Sequence, residues 1–147
     1  MKKTKISVYL EGPFTSPDWR DRVIAEAPMH NYIDPRRNNQ TSSATITLGD
    51  LVRGVEESDV VFMYRLRRSD DTGANIEVGC GFGSRQDKKK IIVLVDENRF
   101  QHPLLTGIAK RHFTDLEAGI LYLKNLKSLK QEEEFKAIYK TIKDLNE

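Results

Sequence analysis

The sequence predicts an α/β protein in which a doubly wound parallel sheet of about five strands is covered by helices on both faces. Short apolar segments alternate with amphipathic or glycine-containing segments of helical length, a pattern typical of strands joined by helical crossovers. One of the apolar segments, Val60-Val61-Phe62-Met63, is apolar at consecutive positions. A parallel strand that is buried on both faces has this pattern.

The individual elements follow from local signals. Apolar, β-prone runs predict strands at residues 6–10, 31–35, 59–64, 91–95 and, more weakly, near 112–113. Helices are predicted at about 16–27, 45–57 and 73–85. The first is expected to start near Ser16-Pro17-Asp18, because proline and aspartate are favoured in the first turn of a helix. The second has an apolar stripe that ends at Val55.

The length of 147 residues fits one domain, with a core at about 5–115 and a helical C-terminal tail at about 116–147. Leucine and isoleucine recur through the tail at roughly helical spacing. This predicts one or two amphipathic helices that pack on the domain or on a second subunit.

Composition excludes several classes of function. The formal net charge is only +2 and basic residues are mixed with acidic ones, which argues against nucleic acid as a partner. The longest basic run, Lys88-Lys89-Lys90, is interpreted as a solvated turn. One cysteine and three scattered histidines give no disulfide and no metal-ligand spacing, so no metal or cofactor is expected. Without a signal-peptide pattern or a membrane-length apolar run, we expect a cytoplasmic protein.

The chemistry is expected at the rim formed by the carboxyl ends of the strands, where doubly wound sheets bind ligands. Loops at 11–16, 36–43, 65–72 and 96–101 share this rim. Glu77 lies in the first turns of the helix that starts there, and the helix dipole should favour its ionised form. Asp71 lies in the loop that enters this helix, whereas Asp59 opens a strand at the end away from the rim.

Two carboxylates in one pocket suit glycosyl chemistry, in which one attacks the anomeric carbon and the other manages the proton of the leaving group. The segment around Gly73 could instead cradle a phosphate. It lacks the glycine spacing of the dinucleotide and P-loop fingerprints.

Three ordered segments resemble the signature segments of the nucleoside 2-deoxyribosyltransferase family. They are Tyr9-Leu10-Glu11-Gly12-Pro13-Phe14, Ser58-Asp59-Val60-Val61 and Asp71-Thr72-Gly73-Ala74-Asn75-Ile76-Glu77-Val78-Gly79. The match spans about residues 5–115. Residues 33–38 and Asp18-Trp19 are further similar to a 2-deoxyribosyltransferase-like branch.

The resemblance implies a flavodoxin-like fold, a homo-oligomer (a dimer or larger) and a covalent sugar–enzyme intermediate on Glu77. It implies that Asp59 and Asp71 bind the base or help to protonate it, and that Tyr9 orients the nucleophile. The partners would be a nucleoside or nucleotide and a free nucleobase. The expected substrate-binding residues lie in the matched segments or on the rim: Gly12, Pro13, Phe14, Arg36, Arg37 and Gly73.

Two alternatives remain open at this point. Related nucleotide hydrolases carry a serine at the position of Asp71, where a carboxylate would repel a 5′-phosphate by about 1 kcal/mol in high dielectric. The cluster of Arg65, Arg67 and Arg68 instead favours a phosphate and therefore nucleoside 5′-monophosphate hydrolysis. Glu11 replaces a small residue of the family pattern, and this departure leaves room for a non-catalytic nucleotide-sensing module.

Overall fold

Five parallel strands form the centre of the structure, a computed structural model that describes residues 5–38, 41–66, 76, 77, 79, 81, 90–98 and 102–129. The strands are β1 (Ser7–Glu11), β2 (Asn31–Ile33), β3 (Val60–Arg65), β4 (Ile91–Asp96) and β5 (Arg111–Phe113). The helices are α1 (Trp19–Glu26), α2 (Ser43–Ile46), α3 (Pro103–Ile108) and α4 (Leu116–Asn125). A 3-10 turn covers Pro35–Arg37, and a π-helical segment, Thr47–Glu56, continues α2.

The strand order is β2-β1-β3-β4-β5, and every neighbouring pair is parallel. This is the flavodoxin-like order, so the predicted fold class is confirmed. The order reverses between β1 and β3, which pair with Glu11 opposite Met63. The crevice for a ligand therefore lies beyond the carboxyl ends of these two strands.

Alternate residues of the strands build two separate cores, one on each face of the sheet. On one face α1 and α4 cover Val8, Phe62 and Val93. On the other face the π-helical segment and α3 cover Tyr9, Val61 and Leu94. The polar groups of the candidate site lie on the second face, with Tyr9.

Three helices differ from the sequence prediction. Helix α1 begins at Trp19 because Asp18 caps it, accepting a hydrogen bond from the Arg20 backbone N–H at 3.0 Å. Ser16 and Pro17 therefore precede the helix. The second predicted helix is present, but most of it is wound with the wider π-helical spacing. Helix α3 was not predicted.

Within the predicted helix at 73–85, residues 76, 77, 79 and 81 have helical backbone. The remainder of this helix lies outside the described residues, as do residues 130–147 of the tail. The first part of the tail forms α4, whose Gly119 packs closely on Val95 and Phe62 of the sheet. None of the helices in the described part of the chain is long and apolar enough to cross a membrane.

The interpretation of Lys88-Lys89-Lys90 as a solvated turn is wrong for Lys90, which is 1% exposed. Its ammonium group donates to the backbone carbonyls of Val55 and Ser58, where the π-helical segment ends. A cation at the carboxyl end of a helix is stabilised by the exposed carbonyls and by the helix dipole. Lys88 and Lys89 lie outside the described residues.

Candidate active site

The candidate site begins on β1, at the point where the strand order reverses. Tyr9 and Glu11 are two residues apart, so their side chains project from the same face of the sheet. Both are buried, with 1% and 3% of their surface exposed. The aromatic ring of Tyr9 lies directly against Gly54 of the π-helical segment.

Glu77 lies over this face of β1. The Tyr9 hydroxyl donates a hydrogen bond to Glu77 Oε1 at 3.4 Å. Burial raises the pKa of Tyr9 far above its ordinary value, and the charges of Glu77, Glu11 and Asp50 raise it further. The phenol is therefore protonated at any physiological pH and acts as a donor to the carboxylate.

The pKa of Glu77 is raised, first of all because the side chain is partly buried. A side-chain hydrogen bond with Glu11 lowers it, and the negative charge of Asp50 raises it again. Smaller lowering effects come from the Tyr9 hydroxyl and the Arg20 charge. The sequence predicted that the helix dipole would favour the ionised form, whereas burial, which favours the neutral form, is the largest of the influences on Glu77.

Asp50 is a member of the site that sequence reasoning missed. It lies in the π-helical segment and is 7% exposed, and its Oδ1 accepts a hydrogen bond from Asn38 Nδ2 at 2.8 Å. Its charge acts on both Tyr9 and Glu77. Asp50 precedes Gly54 by four residues, so both lie on the helix face that meets the Tyr9 ring, but the sequence alone does not show which face this is.

The loop that follows β1 is fixed by Arg20, which is fully buried. Its guanidinium donates to the carbonyls of Leu10 at 3.0 Å, Gly12 at 2.6 Å and Pro13 at 3.1 Å. Gly12 has a φ of 146°, and a Cβ there would lie 2.5 Å from the Tyr64 carbonyl oxygen. The predicted substrate-binding segment therefore has a rigid backbone beside the acidic groups.

Phe14, a predicted substrate contact, is 59% exposed at this loop. Its ring lies 5.1 Å from the Arg20 guanidinium carbon, within the range of a cation–π contact. An exposed aromatic ring whose position is fixed in this way offers a flat apolar surface, which suits the stacking of a nucleobase.

The structure does not bring Asp59 to this group. Asp59 precedes β3, about 13 Å along the sheet from Met63, the residue that pairs with Glu11. Its Oδ2 accepts the backbone N–H of Ser7 at 2.9 Å and so connects the amino ends of two strands. Asp59 therefore lies at the end of the strand away from the rim, as its position in the sequence indicates, and its observed contact is structural.

Arg36, another predicted substrate contact, is surrounded by carboxylates. Its guanidinium lies 2.6 Å from Asp34, 2.8 Å from Asp21 and 3.8 Å from Asp18. Hydrogen bonds to Asp34 and Asp21 raise its pKa above the ordinary value. These contacts hold the 3-10 turn against α1. Arg37 is exposed in the same turn.

Asp71 and Gly73 lie outside the described residues, and their roles stay predictions. Among the residues that the structure does describe, no group of three or more His, Cys, Asp or Glu could hold a metal ion. A cavity of about 470 Å³ lies elsewhere, at the amino end of β1, and is lined by Ile6, His30 and Lys124 among others. It is remote from the carboxyl ends of the strands and so from Glu77.

The strand order and the acidic groups together define an α/β protein of flavodoxin-like fold with a carboxylate site at its switch point. No family model matches the chain, and no curated protein matches it. Among solved structures, a 2-deoxyribosyltransferase from Bacillus psychrosaccharolyticus is similar, with a TM-score of 0.61 and 18% sequence identity. The match covers 81% of this chain and 90% of that one.

A conserved protein from Enterococcus faecalis V583 is similar at a TM-score of 0.49 and 21% identity, over 91% of this chain and 99% of that one. At 18% identity the likeness to the Bacillus psychrosaccharolyticus structure concerns the fold. The chain therefore shares the fold of a 2-deoxyribosyltransferase.

Proposed function

We propose that this protein cleaves the N-glycosidic bond of a nucleoside or deoxynucleoside and passes the sugar from Glu77 to another base or to water. The proposal rests mainly on the hydrogen bond between the Tyr9 hydroxyl and Glu77, which lies at the switch point of the sheet. Such a site is where flavodoxin-like folds bind their ligands. The shared fold with a 2-deoxyribosyltransferase and the three sequence segments add support.

In the first step a Glu77 oxygen bonds to C1′ as the bond between C1′ and the base nitrogen breaks. The electron pair of the broken bond goes to the base nitrogen, which takes a proton from a carboxylic acid. Asp71, which the resemblance links to protonation of the base, is the candidate for this acid.

In the second step a base nitrogen or a water oxygen attacks C1′, and the ester bond to Glu77 breaks. The attacking group loses a proton to the acid of the first step, which is thereby restored. Two displacements retain the configuration at C1′. The Tyr9 hydroxyl positions the same carboxylate oxygen in both steps.

The charges of the site favour an uncharged nucleoside over its 5′-monophosphate. Glu77 and Asp50 place negative charge where the sugar would lie, and this repels a phosphate. Two arginines that could offset the repulsion are engaged elsewhere: Arg36 by three aspartates, and Arg65 by Asp96 at 2.8 Å. These contacts weaken the alternative of nucleotide hydrolysis.

The test is a screen of purified protein against deoxynucleosides, ribonucleosides and their 5′-monophosphates, with and without a second free base. Released and exchanged base are measured by chromatography. Glu77→Gln should lower turnover by more than about 10³-fold, since it removes the nucleophile. Intact-mass measurement during turnover should detect a sugar adduct on the wild-type protein and none on the variant.

Glu117→Gln is the matched control, because it makes the same chemical change at a side chain that is 80% exposed on α4. It should retain wild-type turnover. Full turnover by Glu77→Gln would remove this mechanism. Strong preference for a 5′-monophosphate would support hydrolysis of nucleotides, and tight binding without base release would support a sensing module.

A further inference from the structure

Glu11 is the residue in the matched segments that departs most clearly from the family pattern, and the structure places it against the proposed nucleophile. It is the last residue of β1, is 3% exposed and shares the face of Tyr9. Its carboxyl group also lies close enough to that of Glu77 to share a hydrogen bond with it. Since Tyr9 binds Glu77 as well, the two groups on β1 hold one carboxyl group between them.

A hydrogen bond between two carboxyl groups requires a proton on one of them, because an ionised carboxylate only accepts. Two carboxylates in contact also resist losing both protons, since each charge disfavours the other. Asp50 adds a third negative charge from the π-helical segment, which opposes complete ionisation further. The contact therefore implies that the pair keeps one proton.

The surroundings decide which member holds that proton. Glu77 accepts from the Tyr9 hydroxyl and feels the positive charge of Arg20 from α1, and both favour its ionised form. Glu11 is the more deeply buried of the two, and burial favours the neutral form. The residue paired with it on β3 is Met63, which carries no charge.

We propose that Glu11 is a positioning residue: in the unliganded protein it shares one proton with Glu77 and, as the protonated partner, holds Glu77 as an oriented carboxylate. Its role as partner of a nucleophile rests on the proposed function, whereas the shared proton does not. The pair has one negative charge in its working form. Loss of the shared proton at alkaline pH adds a second charge and breaks the hydrogen bond, so activity falls.

The shared proton is tested without any substrate, by NMR titration of protein labelled with ¹³C at the glutamate side-chain carboxyl. The resonances of the pair are identified from spectra of Glu11→Gln and Glu77→Gln. In the wild type one carboxyl group of the pair should remain protonated at pH 7, and each variant should abolish that signal. Independent titration of both groups near the ordinary glutamate value of about 4.3 would overturn the proposal.

The positioning role is tested by the dependence of turnover on pH. Glu11→Gln keeps a hydrogen-bond donor toward Glu77, so turnover at pH 7 should stay within about fivefold of wild type while the alkaline decline disappears. Glu11→Ala removes the donor and should lower turnover by about 10- to 100-fold, the scale of one hydrogen bond to a charged group. Equal loss of turnover in both variants, with both folded by circular dichroism, would overturn the positioning role.

The two hypotheses fail in different ways. If no substrate is cleaved by any form of the protein but the NMR signal of the shared proton is present, the proposed function fails and the proton pair stands. If turnover depends on Glu77 but both glutamates titrate independently, the proton pair fails and the proposed function stands.

Discussion

Substitution of Gly54 by alanine should damage the candidate site through a single methyl group. A Cβ at this position would lie 2.5, 2.8 and 2.9 Å from three ring atoms of Tyr9. The first contact is about 0.9 Å closer than the 3.4 Å at which ordinary contact begins. Tyr9 is 1% exposed, so its ring can relieve the clash only by shifting within a filled core. We expect this shift to disturb the hydrogen bond from its hydroxyl to Glu77.

The expected loss of stability is the difference of two effects. Overpacking in a filled core costs about 1–3 kcal/mol, and a clash with a ring that cannot move belongs in the upper part of this range. Alanine in place of glycine within a helix contributes about 1 kcal/mol in the opposite direction. The free energy of unfolding should therefore fall by about 1–2 kcal/mol. For a chain of this length that lowers Tm by roughly 3–8 °C.

In Gly54→Ala, turnover should fall by more than the loss of folded protein alone would cause. The displaced hydroxyl is a hydrogen-bond donor to a charged group, and such a bond is worth about 1.5–3 kcal/mol. If Glu77 is the nucleophile, turnover per folded molecule should decrease roughly 10- to 100-fold. Thermal unfolding and base release, measured on the same preparation, separate the two effects.

Two other glycines serve as controls. Gly119→Ala places a Cβ 2.9 Å from Phe62 Cζ, but on the opposite face of the sheet. It should lower Tm by a similar amount and leave turnover per folded molecule unchanged. Gly107→Ala meets no atom within 4 Å and should be neutral or slightly stabilising. Unchanged Tm and turnover for Gly54→Ala, or an equal loss of turnover for Gly119→Ala, would refute this reasoning.

Three further variants address individual groups. Asp59→Ala should lower the free energy of unfolding by about 1 kcal/mol, because the Ser7 N–H loses its acceptor. Turnover per folded molecule should be unchanged. A tenfold loss of turnover at unchanged Tm would show that Asp59 takes part in the mechanism. Tyr9→Phe should reduce turnover about tenfold. It should also move the acid limb of the pH–rate profile to higher pH, because the hydroxyl lowers the pKa of Glu77. An acid limb at the wild-type pH would contradict this role of the hydroxyl. Relative to wild type, Glu77→Gln should have a Tm that increases as pH rises above about 4.5. Folding raises the pKa of Glu77, so the wild-type protein becomes less stable as this carboxyl group ionises, and glutamine cannot ionise. A Tm difference independent of pH would show that ionisation of Glu77 is not linked to folding.

Much of the fold could be predicted from local sequence. Consecutive apolar residues such as Val60-Val61-Phe62-Met63 indicated a strand buried on both faces, and alternation with helical segments indicated a parallel sheet. The details of winding and capping were less accessible. The π-helical segment and the start of α1 at Trp19 depend on hydrogen bonds that residue preferences do not determine.

The members of the candidate site that could be predicted are those that lie in a recognisable sequence motif. Glu77 was predicted from its place at the start of a helix on the rim and by resemblance. Tyr9 and Asp59 were predicted by resemblance, and Asp50 was missed. Asp50 is an ordinary helical aspartate until Asn38 and Tyr9 surround it. Arg20 likewise has no special pattern, yet it fixes the loop after β1.

By itself, the sequence determined the fold class and the candidate nucleophile, because both depend on patterns within short segments of chain. Only the tertiary structure decided that Glu11 and Asp50 act on Glu77, that Asp59 lies at the far end of its strand, and that Arg36 is engaged by aspartates. The physical reason is that the protonation and availability of a charged group depend on its burial and its neighbouring charges. Those neighbours come from distant segments that only folding brings together.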